Sequence, residues 1–328
     1  MKVIHVVGAD ISKESIDFAI HGSKDHLRIK NQLSGFSEFI SWLKSKNIKP
    51  SSLRIVMEHT GYYSYQFEEF LFNCKVPFTK VAALAIKRSL GMIRGKTDKI
   101  DAQRIARYGY EKSDTLVDAR KIDPKLERLK LLHTTRDALV KQRAALLASL
   151  KEFERFVQSS DLIITSRKSI IEACSEQIKK LDAEIQEVIQ SSEELSKNYK
   201  LITSVVGIGP VVGTAMLIKT KNFTSFKNGR KFACYAGVAP FEHSSGTSIK
   251  GRTRVSHLAD KEMKALLTQS AKSAVQHDPE LKKYYKERIS KGKPKGSTLN
   301  IIKNKLIHRV FAVSKRGTPY KRAERMAA

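Results

Sequence analysis

The order of apolar segments in the first third of the chain restricts the fold more than any other feature of the sequence. Three short runs rich in β-branched residues open the chain and predict an antiparallel meander, at residues 2–9, 15–22 and 26–31. The next segment, residues 36–48, is predicted to be an amphipathic helix. Its apolar face consists of Phe36, Phe39, Ile40 and Leu43. Two further strands, at 53–58 and 76–81, are followed by helical sequence at about 62–72 and 82–110.

Three strands, a helix and then alternating strands and helices is the order of an RNase H-like (RuvC-like) domain, an α/β fold. We place this domain at about residues 1–115. The whole chain has 328 residues, which is too long for one ordinary core and fits two or three domains.

The middle of the chain has a different periodicity. Apolar residues recur every seven positions at Leu132, Leu139, Leu146 and Phe153. A second set alternates spacings of three and four, at Ile171, Cys174, Ile178, Leu181, Ile185 and Val188. This pattern predicts coiled-coil helices at about 116–196, forming an intramolecular hairpin or a seam between subunits. Two ordinary amphipathic helices packed on a domain fit the pattern equally well.

A mainly helical third domain is expected at about 197–328. It begins with a helix, a turn at Gly207-Ile208-Gly209 and a second helix. Such a turn resembles a helix-hairpin-helix, whose backbone N–H groups hold a phosphate, but Gly-x-Gly also commonly ends a helix. The last stretch is rich in basic residues, and we expect Lys291, Lys293 and Lys295 to contact the backbone of RNA or DNA.

The net charge points to a polyanionic partner. The chain carries 61 Lys and Arg against 33 Asp and Glu, a formal charge of +28. DNA or RNA is the usual partner of such a protein, and an anionic lipid surface is the alternative. No run approaches 18 apolar residues, so no transmembrane helix or signal peptide is predicted. Three widely spaced cysteines argue against a zinc site or a disulfide framework, and we expect a cytoplasmic protein.

Four acidic residues occupy positions suited to catalysis. Asp10 and Glu58 end the first and fourth strands, which are neighbours at the centre of an RNase H-like sheet. Asp98 and Asp101 lie three residues apart, on one face of the next long helix. Four carboxylates at one place repel unless divalent cations neutralise them, and such oxygen ligands suit Mg²⁺ or Mn²⁺. Each acid alone also has a structural explanation, Asp10 as a turn residue and Asp98 as a helix cap.

A second cluster combines hydroxyl and basic side chains. Around Gly246 the chain carries Ser244, Ser245, Thr247 and Ser248, followed by Lys250, Arg252 and Arg254. A hydroxyl that attacks a phosphodiester needs nearby cations, so this segment is a candidate nucleophile site. From the residues alone, a loop that only hydrogen-bonds phosphate is the favoured interpretation.

Several motifs together resemble the transposases of the IS110 group of bacterial insertion sequences, the bridge-RNA-guided recombinases. The motifs are GADISKES, MEHTGYY, KTDKIDAQRIA, GIGPVVGTAML and FACYAGVAPFEHSSGTSIKG, and they follow the family's order over nearly the whole chain.

The resemblance implies that Asp10, Glu58, Asp98 and Asp101 bind the metal and that Ser245 joins covalently to a DNA end. It also implies dimers or tetramers in which one subunit's serine serves its partner's acid site. The partners would be element and target DNA and a structured non-coding guide RNA, which would place a bacterial protein at the nucleoid. A junction-resolving nuclease that uses water and a non-catalytic scaffold remain alternatives.

Overall fold

The computed structural model describes residues 5–89, 91, 97–156, 158–159, 161–245 and 249–321. At positions 243–245, 249, 250 and 252 it describes the backbone alone. The chain divides into two compact units, Met1–Lys121 and Ile122–Ala328. The division into three segments, at about 1–115, 116–196 and 197–328, stays a prediction. No helix among the described residues is both long enough and apolar enough to cross a membrane.

The first unit contains a five-stranded mixed sheet. Its strands are β1 (His5–Ile11), β2 (Ser15–Ile20), β3 (His26–Lys30), β4 (Leu53–Glu58) and β5 (Phe78–Val81). They lie in the order β3-β2-β1-β4-β5. The first three strands pair antiparallel, as the predicted meander requires, while β4 runs parallel to both β1 and β5. This order and these directions are those of an RNase H-like sheet, so the predicted fold of this part is confirmed.

Four helices cover the two faces of this sheet. They are α1 (Leu33–Ser45), α2 (Tyr65–Asn73), α3 (Ala83–Ser89) and α4 (Asp98–Glu111), with short 3₁₀ helices at Pro50–Ser52 and Gly61–Ser64. On one face an aromatic core packs α1 and α2 onto β2, with the rings of Phe18 and Phe39 stacked at 4.1 Å. On the other face α4 crosses β1 at Gly8. A Cβ at Gly8 would lie 2.1 Å from the carbonyl oxygen of Ala102, so only glycine permits this approach.

The second unit is mainly helical. Its helices are α5 (Pro124–Phe153), α6 (Leu162–Gln190), α7 (Glu193–Thr203), α8 (Pro210–Thr220), α9 (Gly229–Tyr235), α10 (Lys261–His277), α11 (Pro279–Ser290) and α12 (Lys295–Arg316). A two-stranded antiparallel hairpin, β6 (Pro240–Ser245) and β7 (Ile249–Val255), interrupts them. The sequence analysis did not predict this hairpin, because its hydroxyl, glycine and basic residues lack the apolar alternation of a strand.

Helices α5 and α6 pack against each other as an antiparallel hairpin. Arg128 pairs with Glu184, Arg136 Nε lies 2.5 Å from Asp182 Oδ1, and Arg167 donates to Ser149 Oγ at 2.9 Å. As residue numbers rise along α5 they fall along α6, which defines the antiparallel direction. Ile178 and Ile185 of the predicted seam are buried. The arrangement within one chain is therefore an intramolecular hairpin, and its coiled-coil character stays a prediction.

Side-chain caps explain where many of these helices begin. Asp123, Asp161, Ser192 and Asn228 each accept a hydrogen bond from a backbone N–H in the first turn of the helix that follows. Such caps satisfy donors that the helix itself leaves without a partner.

Candidate active site

Three elements bring the four predicted acids to one face of the sheet. Strands β1 and β4 are parallel neighbours, and the pairing of Ala9 with Met57 puts Asp10 next to Glu58. Strand β1 continues to Ile11, so Asp10 lies within the strand rather than at its end. Asp98 and Asp101 occupy the first turn of α4, which Thr97 caps by accepting from the N–H of Ile100.

The electrostatics of Asp10 show that these carboxylates are close. Burial, and after it the charges of Asp101, Asp98, Glu58 and Asp17 in that order, together raise the pKa of Asp10 to about 6. Both removal from water and like charges disfavour the ionised form of an acid. The cluster therefore stores repulsion that a bound cation would relieve.

Two arginines balance the acids of α4. Arg104 Nη1 lies 2.8 Å from Asp101 Oδ1, and Arg28 Nη1 lies 3.4 Å from Asp98 Oδ2. Throughout the part of the chain that the structure describes, no three His, Cys, Asp or Glu side chains are already arranged around a metal position. The oxygen-only donor set nevertheless fits Mg²⁺ or Mn²⁺. Arg28 and Asp98 are both 58% exposed, so their ion pair is weak and easily exchanged.

A fifth acid, Asp17, lies directly opposite Asp10 on the neighbouring strand β2. Its side chain is 4% exposed, its Oδ1 is 2.7 Å from His26 Nε2 and its Oδ2 is 3.7 Å from Arg28 Nε. The sequence analysis missed it. The signal was an acidic residue between two apolar residues, Ile16 and Phe18, inside a strand, because a buried carboxylate requires a polar partner.

Replacing Asp10 by asparagine is expected to stabilise the metal-free protein. The amide resembles the protonated acid and removes the repulsion, so the free energy of unfolding at pH 7.5 in chelator should rise by about 1–2 kcal/mol, allowing for partial exposure. Because the pKa of Asp10 is higher in the folded than in the unfolded chain, the wild type should lose stability as pH rises from about 4 to about 6.

Denaturant unfolding of both proteins across this pH range measures the effect. The difference between them should grow with pH and level off above about pH 6. Glu14→Gln is the matched control, since Glu14 is an exposed acid in the turn between β1 and β2. A variant less stable than the wild type at pH 7.5 would show that the carboxylates do not repel one another.

The candidate nucleophile lies on the β6–β7 hairpin. Ser245 is the last residue of β6, and its backbone pairs with Ile249 of β7, while Ser244 pairs with Lys250. Arg254 is exposed on β7. Gly246, Thr247 and Ser248 lie outside the described residues, as do the side chains of Ser244, Ser245, Lys250 and Arg252. The catalytic role of Ser245 stays a prediction.

Asp260 connects the segment before the β6–β7 hairpin to the segment after it through hydrogen bonds. Its backbone N–H donates to the carbonyl of Tyr235 at 2.9 Å. Its Oδ2 accepts from the Tyr235 hydroxyl at 2.7 Å and from Lys219 Nζ at 2.8 Å. Its Oδ1 caps α10 by accepting from the N–H of Met263. Tyr235 precedes the hairpin and Asp260 follows it, so this contact fixes where the hairpin leaves the helical core.

The polar network continues into the core from Lys219. Lys219 Nζ also lies 2.9 Å from Glu262 Oε2, and Glu262 Oε1 lies 2.8 Å from His133 Nε2. The hydrogen bond to His133 lowers the pKa of Glu262 to about 2, with the Lys219 contact adding to the shift. Burial alone would raise the pKa of Asp260, but the hydrogen bonds from Lys219, the N–H of Met263 and the Tyr235 hydroxyl together outweigh it and hold that pKa below its usual value. Sequence analysis could not find this network, because its members are far apart in the chain.

Asp260→Asn should lower the free energy of unfolding by about 2 kcal/mol, because it leaves Lys219 with half its negative partners in a poorly solvated site. The Asp260 side chain is 13% exposed and the Lys219 side chain 22%. Chemical denaturation measures the loss. Asp137→Asn is the control: Asp137 pairs with Lys141, whose side chain is 75% exposed, and should change little. Equal losses in both variants would contradict a structural role for the network.

The remaining predicted nucleic-acid contacts lie in two connections. Gly207 has φ +94°, and a Cβ there would lie 2.7 Å from the carbonyl oxygen of Ser270, so this turn is packed on α10. Gly209 is the N-cap of α8 and faces open space. Of the predicted basic tail, Lys291 and Lys293 lie in an exposed connection between α11 and α12, and Lys295 is the exposed first residue of α12. Their contacts with phosphate stay predictions.

Comparisons with known proteins assign the family. A family model for transposases of the IS116/IS110/IS902 family matches residues 199–286, and an IS110 DEDD transposase model matches residues 7–153. The pilin gene-inverting protein of Moraxella bovis is 30% identical over 322 residues, which cover 96% of this chain and 97% of that protein. This chain belongs to the IS116/IS110/IS902 family of transposases. The predicted family is therefore confirmed.

Further relatives agree with this assignment. The pilin gene-inverting protein of Moraxella lacunata is 30% identical over 96% of this chain and 97% of its own length. The insertion element IS110 uncharacterized 43.6 kDa protein of Streptomyces coelicolor is 30% identical over 49% of this transposase and 38% of its own length. A T. thermophilus RuvC bound to a Holliday junction substrate has 11% identity and a TM-score of 0.26 over 35% of this chain and 99% of its own. That likeness adds nothing to what the strand order shows.

Proposed function

We propose that this transposase is a DNA recombinase of an insertion sequence that cleaves and exchanges strands through a covalent serine–DNA intermediate. One observation carries the proposal: Asp10, Glu58, Asp98 and Asp101 meet on one face of an RNase H-like sheet in a member of a transposase family. The acids supply one half of the chemistry and Ser245 the other.

The four acids would hold Mg²⁺ or Mn²⁺. Bound divalent cations would neutralise the carboxylates and stabilise the charge that develops on the phosphodiester. The protein's own contribution is position, because two parallel strands and one helix end hold the donors on a rigid framework. Arg28 and Arg104 hold Asp98 and Asp101 in the metal-free protein, and Arg28 also lies beside Asp17, which is opposite Asp10 on β2.

Ser245 would attack the phosphorus of a DNA strand. Its hydroxyl gives up a proton as the oxygen bonds to phosphorus, the bond between phosphorus and one of the two sugar oxygens breaks, and that leaving oxygen takes up a proton. The phosphoserine linkage preserves the phosphodiester energy, so rejoining to another strand needs no ATP. Lys250, Arg252 and Arg254 on β7 would offset the phosphate charge.

Two features of the chain, its net charge and its candidate phosphate contacts, support nucleic acid as the proposed partner. The +28 charge favours polyanions, and Lys291, Lys293 and Lys295 with the turn at Gly207 and Gly209 would contact phosphates of element DNA, target DNA or a structured non-coding guide RNA. A homodimer or tetramer would let the serine of one subunit serve the acids of another. Such a protein would act at the bacterial nucleoid, in the cytoplasm.

A strand-exchange assay separates this function from its alternatives. Full-length protein is incubated with element-end and target DNA, with RNA transcribed from the DNA beside its gene or without it, in Mg²⁺ or chelator. A recombinase gives metal-dependent joined products and a protein–DNA adduct, and a guided one gives them only with the RNA. Metal-dependent cleavage without an adduct indicates a water-using nuclease, and binding without any product indicates a scaffold. Either result contradicts the proposal.

A further inference from the structure

A buried lysine in α12 has no anionic partner among the residues that the structure describes. Lys303 is 7% exposed, and its Nζ hydrogen-bonds Thr268 Oγ1 at 3.4 Å. Within the described ranges no carboxylate lies at ion-pair distance from it. A buried ammonium group without a counter-charge is destabilising, so the position requires a reason.

A second lysine adds to the destabilisation caused by burying the charge of Lys303. Lys264 of α10 is half-buried, and its charge adds to the effect of burial in lowering the pKa of Lys303. Thr268, one turn further along α10, donates its own hydroxyl proton to the carbonyl of Lys264 at 2.8 Å. The hydroxyl oxygen of Thr268 therefore accepts the hydrogen bond from Lys303 Nζ. The two helices therefore present two cations to the same place, an arrangement that an anion would stabilise.

This pair lies beside the start of the β6–β7 hairpin. Asn300, one turn before Lys303 on α12, donates to the carbonyl of Val238 at 2.8 Å. A Cβ at Gly237 would lie 3.6 Å from the Cδ of Lys264. Residues 237–239 lead directly from α9 into β6, the strand that ends at Ser245.

We propose that Lys303 and Lys264 form a phosphate-binding site that holds a backbone phosphate of DNA at the base of the hairpin. A phosphate there relieves the repulsion between the two lysines and orients the bound strand relative to β6. The choice of DNA rests on the proposed function of the hairpin, whereas the anion site itself does not. Inorganic phosphate carries the same chemistry and serves as a probe.

The test compares Lys303→Met with Lys315→Met. Methionine keeps the length of the buried stem and removes the charge, and Lys315 is an exposed lysine of the same helix. Duplex DNA affinity is measured against salt concentration, in parallel with single-stranded RNA of equal length. Lys303→Met should weaken DNA binding about tenfold and reduce the salt slope by about 0.9, the value for one phosphate. Lys315→Met should change both less.

Thermal melting without nucleic acid gives a second readout. The melting temperature of Lys303→Met should equal or exceed that of the wild type, since the substitution removes a buried cation that has no counter-charge among the described side chains. Inorganic phosphate should raise the melting temperature of the wild type more than that of the variant, against chloride at equal ionic strength. Lower stability with unchanged DNA affinity would overturn the proposal and make Lys303 purely structural.

Two further results are decisive. A loss confined to RNA would overturn the assignment to DNA. If Lys303→Met does not fold, Lys264→Met carries the same measurements, because Lys264 is only half-buried. Absence of a serine adduct would refute the proposed chemistry at Ser245 and leave the slope change in place, so the two failures are distinguishable.

Discussion

Ser245→Ala is expected to abolish DNA strand cleavage and the covalent protein–DNA adduct, with a loss of about a thousand-fold or more. The substitution removes the oxygen that would bond to phosphorus, and neither an alanine nor a neighbouring hydroxyl at another position replaces it. Ser245 is the last residue of β6, so its backbone is fixed by the strand pairing with Ile249. Denaturing gels of end-labelled DNA report cleavage and adduct together.

The neighbouring hydroxyls provide the controls. Ser244→Ala and Ser248→Ala should each keep at least partial activity, since the proposed nucleophile is Ser245 alone. All three variants should bind DNA and melt like the wild type, because each substitution removes a single hydroxyl group and no apolar area. Cleavage and adduct formation that persist in Ser245→Ala would assign the nucleophile to another residue.

Asp10→Asn is expected to cause a loss of comparable size by a different route. Without the Asp10 carboxylate the cluster loses a ligand at its centre, so strand cleavage should fall by about a thousand-fold or more even in excess Mg²⁺. DNA binding should persist or tighten, because a negative charge has been removed. Cleavage assays at a series of Mg²⁺ concentrations measure this, and Glu14→Gln is again the control. Full activity of Asp10→Asn, or of the wild type in chelator, would contradict a metal role for the acids.

Mixing the two inactive variants tests whether the serine and the acids of one active site come from different subunits. If one subunit's serine serves its partner's acids, Ser245→Ala and Asp10→Asn together should recover part of the activity. The recovered fraction should depend on the mixing ratio and reach its maximum near equal amounts. No recovery at any ratio would place both groups of one working site on the same subunit.

The sequence predicted the parts of the fold that local pattern determines. Short runs of apolar and β-branched residues predict β1 to β5, and the strand order then makes Asp10 and Glu58 neighbours. A spacing of three residues places Asp98 and Asp101 on one turn of α4. Each of these conclusions requires only periodicity and the rule that a parallel strand follows a helical crossover.

Contacts between distant residues were not predictable in this way. Lys219 and Asp260 are 41 positions apart, and His133 and Glu262 are 129 apart. Nothing in the local sequence of either partner selects the other. The β6–β7 hairpin was missed because its strands are held by backbone pairing and lack an apolar face. Arg28 and Arg104 were missed because arginine on a helix or edge strand is usually a solvated residue.

The most direct measurement is the chemical identity of the protein–DNA bond. The reaction with labelled element-end DNA is stopped under denaturing conditions, nucleases trim the DNA, and trypsin releases the peptide of residues 232–250. Fragmentation by mass spectrometry then locates the residual nucleotide among the hydroxyl residues of that peptide. The proposed chemistry predicts a phosphodiester on Ser245 that forms in Mg²⁺ and is absent in chelator and in Asp10→Asn. A nucleotide on any other residue, or efficient cleavage without an attached nucleotide, would contradict it.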